Sequence, residues 1–153
     1  MLKSLLRWTL LGCLVVLPAI QLVPYGRTHA NPPVRQEPPW ESPRTRDLVV
    51  RACYDCHSNQ TAWLWYTNIA PASWLIQSDV DEGRRKLNYS EWDRPQKDAR
   101  KAADKVEAWN MPPIYYAAFH PKSWMIGGDR ADLIRGLATT FGRRVRGGRG
   151  GHE

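Results

Sequence analysis

The stretch RACYDCH (residues 51–57) holds two of the three cysteines in this 153-residue chain, and a histidine directly follows the second of them. Cys53 and Cys56 are three residues apart, a spacing that puts both side chains on one face of a helical turn. The residues just before them place apolar side chains near the same helical face. The sequence therefore predicts a helix that presents two thiols and an imidazole together.

The pattern around this motif indicates further helices and no convincing strand, so the predicted class is all-α. Ser42 as the N-cap and Pro43 as the first residue start the motif helix, which runs to residue 57. Consecutive prolines at residues 112–113 keep the segment after Met111 from continuing a helix. The other predicted helices span residues 72–87, 95–109 and 130–141, the last capped by Asp129.

Residues 1–26 read as a membrane anchor or a signal segment. Lys3 and Arg7 precede an apolar run that reaches Val23, close to the roughly 20 residues needed to cross a bilayer. The run is long for a signal peptide cleaved at residues 28–30, which favours an uncleaved transmembrane helix. The positive flank predicts a single pass with the following domain outside the bacterial inner membrane, in the periplasm.

The rest of the chain divides by composition into three parts. Residues 27–39 form a Pro-rich spacer, residues 40–142 the folded domain, and residues 143–153 an Arg/Gly tail predicted to be disordered. The formal charge of +7 sits mainly at the ends, because residues 31–142 carry fifteen basic and fourteen acidic side chains. The folded domain is thus nearly neutral, which argues against nucleic-acid binding.

Four kinds of site can contain a C-x-x-C-H motif. Covalent haem attachment uses two thiols at this spacing and the following imidazole as the proximal iron ligand, and it requires export. A thioredoxin-like dithiol needs strands and a thiol at a helix start, a zinc site needs four ligands, and a disulfide at this spacing closes a strained loop. The export segment and the helical context favour one covalent haem c on Cys53 and Cys56, with His57 below the iron.

The distal iron ligand has five candidates in the sequence. Met111 stands out because Pro112 and Pro113 present its thioether on a stiff loop after a helix, and a thioether ligand favours ferrous iron. Packing is the alternative role for Met111, and the remaining candidates are His120, Met125, His29 and His152.

Aromatic side chains flank both halves of the predicted site and suit the walls of a haem crevice. They are Trp63, Trp65, Tyr66, Trp74, Tyr115 and Tyr116. Arg84 and Arg85 are candidate partners for the haem propionates, whereas Asp79, Asp81 and Glu82 are expected on a solvated helix face.

The chain resembles c-type cytochromes through CYDCH (residues 53–57) and the downstream Met111-Pro112 pair. It is similar in more detail to a small haem-binding domain family of membrane-anchored bacterial proteins. The residues that carry this similarity are IQLVPYGR (20–27), CYDCHSN (53–59), WYTNIAPASW (65–74), DVDEGR (79–84), LNYSEW (87–92) and MPPIYY (111–116). The resemblance implies a small cytochrome c-like helical domain around one covalent haem, attached at Cys53 and Cys56 and ligated by His57.

Three functions fit such a site. Electron transfer to periplasmic redox partners is the function we expect, with no substrate transformed and hence no enzyme. A gas or peroxide sensor, or an enzyme, requires an open or displaceable distal ligand in place of Met111. A haem module within a larger assembly shares the chemistry of the first function.

Overall fold

Helices make up the regular structure of the chain, as the sequence predicts. The computed structural model describes residues 1–142, and within them it contains seven α-helices and no β-strand. The helices are α1 (Leu2–Ile20), α2 (Pro43–Ala52), α3 (Tyr54–His57), α4 (Ala72–Lys86), α5 (Ala102–Glu107), α6 (Ile114–Phe119) and α7 (Gly127–Phe141). Short 3-10 turns span Trp65–Asn68, Ala99–Lys101 and Pro121–Ser123. The all-α prediction is confirmed, and the predicted tail at residues 143–153 lies outside the described residues.

The motif helix begins as predicted but is interrupted at its first cysteine. The Ser42 hydroxyl accepts a hydrogen bond from the Thr45 amide at 3.1 Å and caps α2. At Cys53 the backbone leaves helical geometry, with φ at −128°, and α3 restarts at Tyr54. The break turns the chain so that the buried ring of Tyr54 stacks on Tyr89, with centroids 5.9 Å apart.

The core forms where α2, α5 and α7 pack together. Their buried apolar side chains are Leu48, Val49, Ala103, Val106, Leu133 and Leu137. Gly136 permits the α2–α7 approach, because a Cβ there would lie 1.9 Å from the Thr45 hydroxyl oxygen. Each large side chain removed from water here contributes roughly 1.5–3 kcal/mol.

Two predicted helix starts differ from the structure. The predicted helix over residues 95–109 is shorter, because the Gln96 side chain bonds the Asn88 amide and the Glu91 carbonyl and holds this region as a turn. Asp129 does not cap α7; it lies in the first turn, where its carboxylate accepts hydrogen bonds from Arg44 and Arg51. A negative charge at that position also favours the positive end of the helix dipole.

Residues 27–39 are extended, as their prolines predict, but they pack along the domain instead of standing free of it. The Arg35 amide donates to the Ser90 carbonyl at 2.8 Å, and the Trp92 amide donates to the Gln36 carbonyl at 2.9 Å. The segment thus satisfies backbone groups of a loop in the domain. An extended, Pro-rich segment suits this role because proline has no backbone N–H that would need an acceptor.

Helix α1 is long and apolar enough to cross a membrane, and none of its residues is buried in the structure. Its position near the N-terminus also fits a signal sequence. Its length and composition therefore fit either role.

Gly83 sets the distance between α3 and α4. The sequence suggests only a weak point in a helix, but a Cβ at this position would lie 2.2 Å from the Cys56 carbonyl oxygen. The α4 backbone can therefore approach the second cysteine only because residue 83 has no side chain.

Gly83→Ala should lower the free energy of unfolding by about 1–3 kcal/mol, because backbone atoms must move apart to admit the methyl group. Denaturant unfolding of the haem-loaded protein measures the change. Gly128→Ala is the matched control, since an added Cβ there meets nothing within 4 Å. Equal losses in the two variants would contradict the proposed close contact.

Candidate functional site

The predicted attachment motif opens into a cavity of about 230 Å³, termed here the thiol cavity. Cys53 and Cys56 line it together with His57, and Met111 lines it from a loop more than fifty residues away. The structure therefore brings together the four predicted site residues. Their individual roles toward haem stay predictions.

His57 is held by the C-terminal end of α4. Its Nδ1 lies 2.9 Å from the Leu87 carbonyl oxygen and 3.1 Å from the Gly83 carbonyl oxygen. Carbonyl oxygens only accept hydrogen bonds, so Nδ1 carries the proton and Nε2 keeps its lone pair. This is the arrangement that orients histidine ligands of metals and raises their basicity.

Burial controls the protonation of the three motif side chains. It lowers the pKa of His57, although the hydrogen bonds to Leu87 and Gly83 act in the opposite direction, so the imidazole is neutral at neutral pH. Burial also raises the pKa of Cys53 and of Cys56 to about 12 each. Both are free thiols in the structure.

These features distinguish between the alternatives for the motif. A redox-active dithiol requires a thiol with a lowered pKa, whereas burial raises both pKa values here. Within residues 1–142, no group of three or more His, Cys, Asp or Glu side chains is placed to hold a metal ion, so a zinc site lacks ligands. The free thiols, the neutral imidazole and the thioether fit the donor set of a haem.

Met111 reaches the thiol cavity because α5 ends in a tight reversal. Trp109 adopts a left-handed backbone, with φ at 58°, and the Asn110 and Met111 amides then donate to the Lys105 carbonyl at 3.0 and 3.2 Å. A non-glycine residue in this conformation costs roughly 1–2 kcal/mol. The surrounding contacts must therefore hold Trp109 in place.

Arg130 of α7 supplies those contacts. Its guanidinium lies 3.8 Å from the centroid of the Trp109 ring and donates to the Val106 and Glu107 carbonyls at 3.0 and 2.7 Å. These contacts tie the end of α5 to α7 and hold the Trp109 ring in place. The sequence shows no signal for this role, because Arg130 lies about twenty residues beyond the helix it caps.

The other candidate distal ligands lie elsewhere. His120 is fully engaged, with Nε2 2.8 Å from the Tyr66 hydroxyl and Nδ1 2.8 Å from the Tyr116 carbonyl. His29 stacks on Trp63, Met125 is buried in the core, and His152 lies outside the described residues. Among the candidates that the structure describes, Met111 is the one that lines the thiol cavity.

The aromatic residues divide between two adjacent cavities. Tyr115 and Tyr116 line the thiol cavity, as predicted, and their hydroxyls donate to Asp79 and Asp55. They also form a wall of a second cavity, of about 370 Å³, termed here the aromatic cavity.

Trp65 and Tyr66 line only the aromatic cavity, whereas Trp63 and Trp74 line neither of the two. Trp65 and Tyr66 therefore lie in a neighbouring cavity, which shares Cys56, Tyr115 and Tyr116 with the thiol cavity. A role in a haem crevice stays a prediction for them and for Trp63 and Trp74.

The charged residues of α4 also differ from expectation. Arg84 is not available for a propionate, because its guanidinium donates to the carbonyls of Ser58 and Ala30 and to the side chains of Asn31 and Thr61. Arg85 pairs with Glu82. Asp79 is not on a solvated face, since partial burial raises the pKa of its carboxyl.

Comparison with known proteins agrees with haem as the ligand of the thiol cavity. A family profile described as a haem-binding domain matches residues 15–139, which include every residue of the thiol cavity. No curated protein and no solved structure gives a significant match. The match identifies haem as the ligand and describes binding, not a reaction.

Arg130→Ala should lower the free energy of unfolding by about 1–3 kcal/mol, because it removes the guanidinium that donates to the Val106 and Glu107 carbonyls and lies on the Trp109 ring. Hydrogen exchange should also speed up at the amides of Asn110 and Met111. Arg135→Ala is the control: Arg135 pairs with Asp132 at the surface of the same helix, and we expect a loss of at most about 0.5 kcal/mol. Unchanged exchange at these two amides would refute the role assigned to Arg130.

Proposed function

The chain belongs to the haem-binding domain family, and on that premise we propose that it is a membrane-anchored monohaem c-type cytochrome domain that transfers electrons. Cys53 and Cys56 hold the haem covalently, His57 is the proximal iron ligand, and Met111 is the distal ligand. A bound haem supplies a one-electron iron couple.

The hydrogen bonds of His57 carry this proposal. An imidazole whose Nδ1–H is bonded to two carbonyls presents Nε2 to the thiol cavity in a fixed orientation. The two thiols line the same cavity, so one flat ligand can meet all three side chains. A histidine retained only for packing would not require this alignment with two free cysteines.

Attachment is an addition that needs no oxidant. Each thiol adds across one vinyl group, so that a carbon–sulfur bond forms and the thiol hydrogen passes to the other vinyl carbon. Cys53 and Cys56 are free and close together, which suits them for the two additions. The break at Cys53 gives the two cysteines different backbone settings within one turn.

Met111 completes the site from a separately supported loop. Pro112 and Pro113 follow it directly, and Arg130 holds the end of α5 that precedes it. A thioether ligand on iron stabilises the ferrous state and raises the reduction potential. This favours an electron carrier over a site that binds an exogenous ligand.

Lys105 takes the place of Arg84 as the candidate partner for a propionate. It lines the thiol cavity together with Lys86 and Lys101, which pair with Glu82 and Asp98. Cations at the edge of an apolar cavity offset the charge of carboxylates bound there.

Retention of α1 as an anchor is supported by the residues that follow it. The Gln21 side chain bonds both the carbonyl and the amide of Ala70, and Gly26 packs directly under the Ser73 carbonyl. Cleavage after Ala30 would remove these contacts from the domain. With Lys3 and Arg7 on the cytoplasmic side, the domain faces the periplasm and its redox partners.

A sensor or enzyme is the alternative, and the exposure of Met111 favours it. Met111 is 37% exposed, so an incoming ligand could approach this residue and displace it from a bound haem. The test of Met111 below distinguishes the two functions.

Cys53→Ser with Cys56→Ser should abolish haem staining on a denaturing gel, because no thioether can form. The exported protein should be produced in cells competent in cytochrome maturation. Cys13→Ser is the control and should keep full staining, since Cys13 lies in α1 away from the cavity. Staining that persists in the double variant would refute covalent attachment at this motif.

Met111→Ala should remove the weak near-infrared band of Met–Fe(III) ligation from the oxidised spectrum and allow carbon monoxide to bind the reduced protein. Met125→Leu is the control, because Met125 is a buried core residue that does not line the thiol cavity. A wild-type protein without the band that binds carbon monoxide readily would support the sensor instead.

A further inference from the structure

Three stretches of this chain contain no Asp, Glu, Lys or Arg: residues 8–26, 56–78 and 108–121. The second stretch extends over 23 residues in a chain of which 24% is charged. By contrast, sixteen of the 29 residues from 79 to 107 are charged. Loops in contact with water normally carry charged side chains, so the distribution indicates that one side of the domain meets a different environment.

The first two stretches meet at the end of α1. Gln21, the first residue after this helix, accepts from the Ala70 amide at 3.0 Å and donates to the Ala70 carbonyl at 2.9 Å. A Cβ on Gly26 would lie 2.2 Å from the Ser73 carbonyl oxygen. The segment from Gln21 to Gly26 therefore packs closely on the start of α4. The domain therefore touches the helix that is apolar enough to cross a membrane.

The second and third stretches meet around the aromatic cavity. The Tyr66 hydroxyl lies 2.8 Å from His120 Nε2. Trp65, Leu75 and Phe119 line the cavity and are 76%, 49% and 79% exposed. Large apolar side chains thus surround an opening to the outside.

Exposed apolar residues that adjoin these contacts or line the aromatic cavity are grouped here as the apolar face. They are Leu22, Val23, Leu64, Trp65, Ile69, Leu75, Tyr115 and Phe119. An exposed apolar surface of this extent marks a contact with protein or lipid. Asp79, at its margin, is half-buried and accepts a hydrogen bond from Tyr115 instead of facing outward.

We propose that the apolar face lies on the bilayer and inserts its aromatic side chains at the boundary between headgroups and acyl chains. This inference rests on the proposed anchoring by α1. A bilayer is the apolar surface within reach, because α1 ends one residue before Gln21 binds the domain. Tryptophan and tyrosine are enriched at this boundary, where ring and polar tip meet suitable surroundings.

The orientation has a consequence for the haem site. Cys56, Tyr115 and Tyr116 line both the aromatic cavity and the thiol cavity. Docking of the apolar face therefore places the shared wall beside the bilayer and leaves the charged residues 79–107 toward water. The two sides of the bound haem would meet different solvents.

Cysteine protection in vesicles tests this orientation. Trp65→Cys and Phe119→Cys are made separately in a Cys13→Ala background and the haem-loaded full-length protein is reconstituted into vesicles of phosphatidylethanolamine and phosphatidylglycerol, at fewer than one protein per vesicle. A membrane-impermeant maleimide then reports the reactivity of the new thiol. Ile126→Cys is the matched control, because Ile126 is 61% exposed, lies outside the three charge-free stretches and lines neither cavity.

The thiols at positions 65 and 119 should react about tenfold or more slowly than the thiol at position 126, the bias expected when the remaining large apolar side chains of the face are buried in the bilayer. Equal rates in protein that resists carbonate extraction would overturn the inference and leave the anchor intact. Release by carbonate would overturn both the anchor and the inference, while haem staining still reports attachment independently. Because a vesicle rarely holds two protein molecules, slow labelling of positions 65 and 119 relative to the control cannot come from contact with a second protein and reports contact with lipid.

Discussion

The contact between His57 and the end of α4 is the constraint on which the haem site depends. The Leu87 carbonyl follows the last turn of α4, and the imidazole donates to it and to the Gly83 carbonyl, which also accepts from the Leu87 amide. The same hydrogen bonds keep the proton on Nδ1 and leave the lone pair of Nε2 free. This one contact thus caps the end of α4, fixes the orientation of the His57 ring and selects its tautomer. It requires the backbones of α3 and α4 to touch, which only a residue without a side chain at position 83 allows.

The opposite side of the site depends on a second helix end. Arg130 closes the end of α5 and supports the strained backbone of Trp109, from which the chain turns back to Met111. His57 and Met111, the two proposed iron ligands, are thus held by different helices, and each is positioned by a contact distant in sequence.

The local signals of the sequence were read correctly where a single residue decides the outcome. The Ser42 cap and the all-α class were confirmed. The sequence did not indicate the contacts made by Gly83, Arg84 and residues 27–39, and the reason is the same for all three. Propensity describes a segment in isolation, whereas these residues are defined by what packs against them. Gly83 is a contact point, Arg84 binds two loops, and the proline segment pairs with the loop after α4.

Haem binding, and the proposal that Cys53 and Cys56 attach the haem, came from the linear order of residues. Two thiols three residues apart and an adjacent imidazole share one helical turn wherever that turn lies, so this expectation needs no knowledge of the fold. Which residues complete the site was a matter of three-dimensional packing. Arg130, the carbonyls of α4 and the apolar face acquire their roles from neighbours 20 to 50 residues away, as between Gln21 and Ala70. Such long-range pairs leave no periodic trace in a chain, because each depends on how whole helices pack.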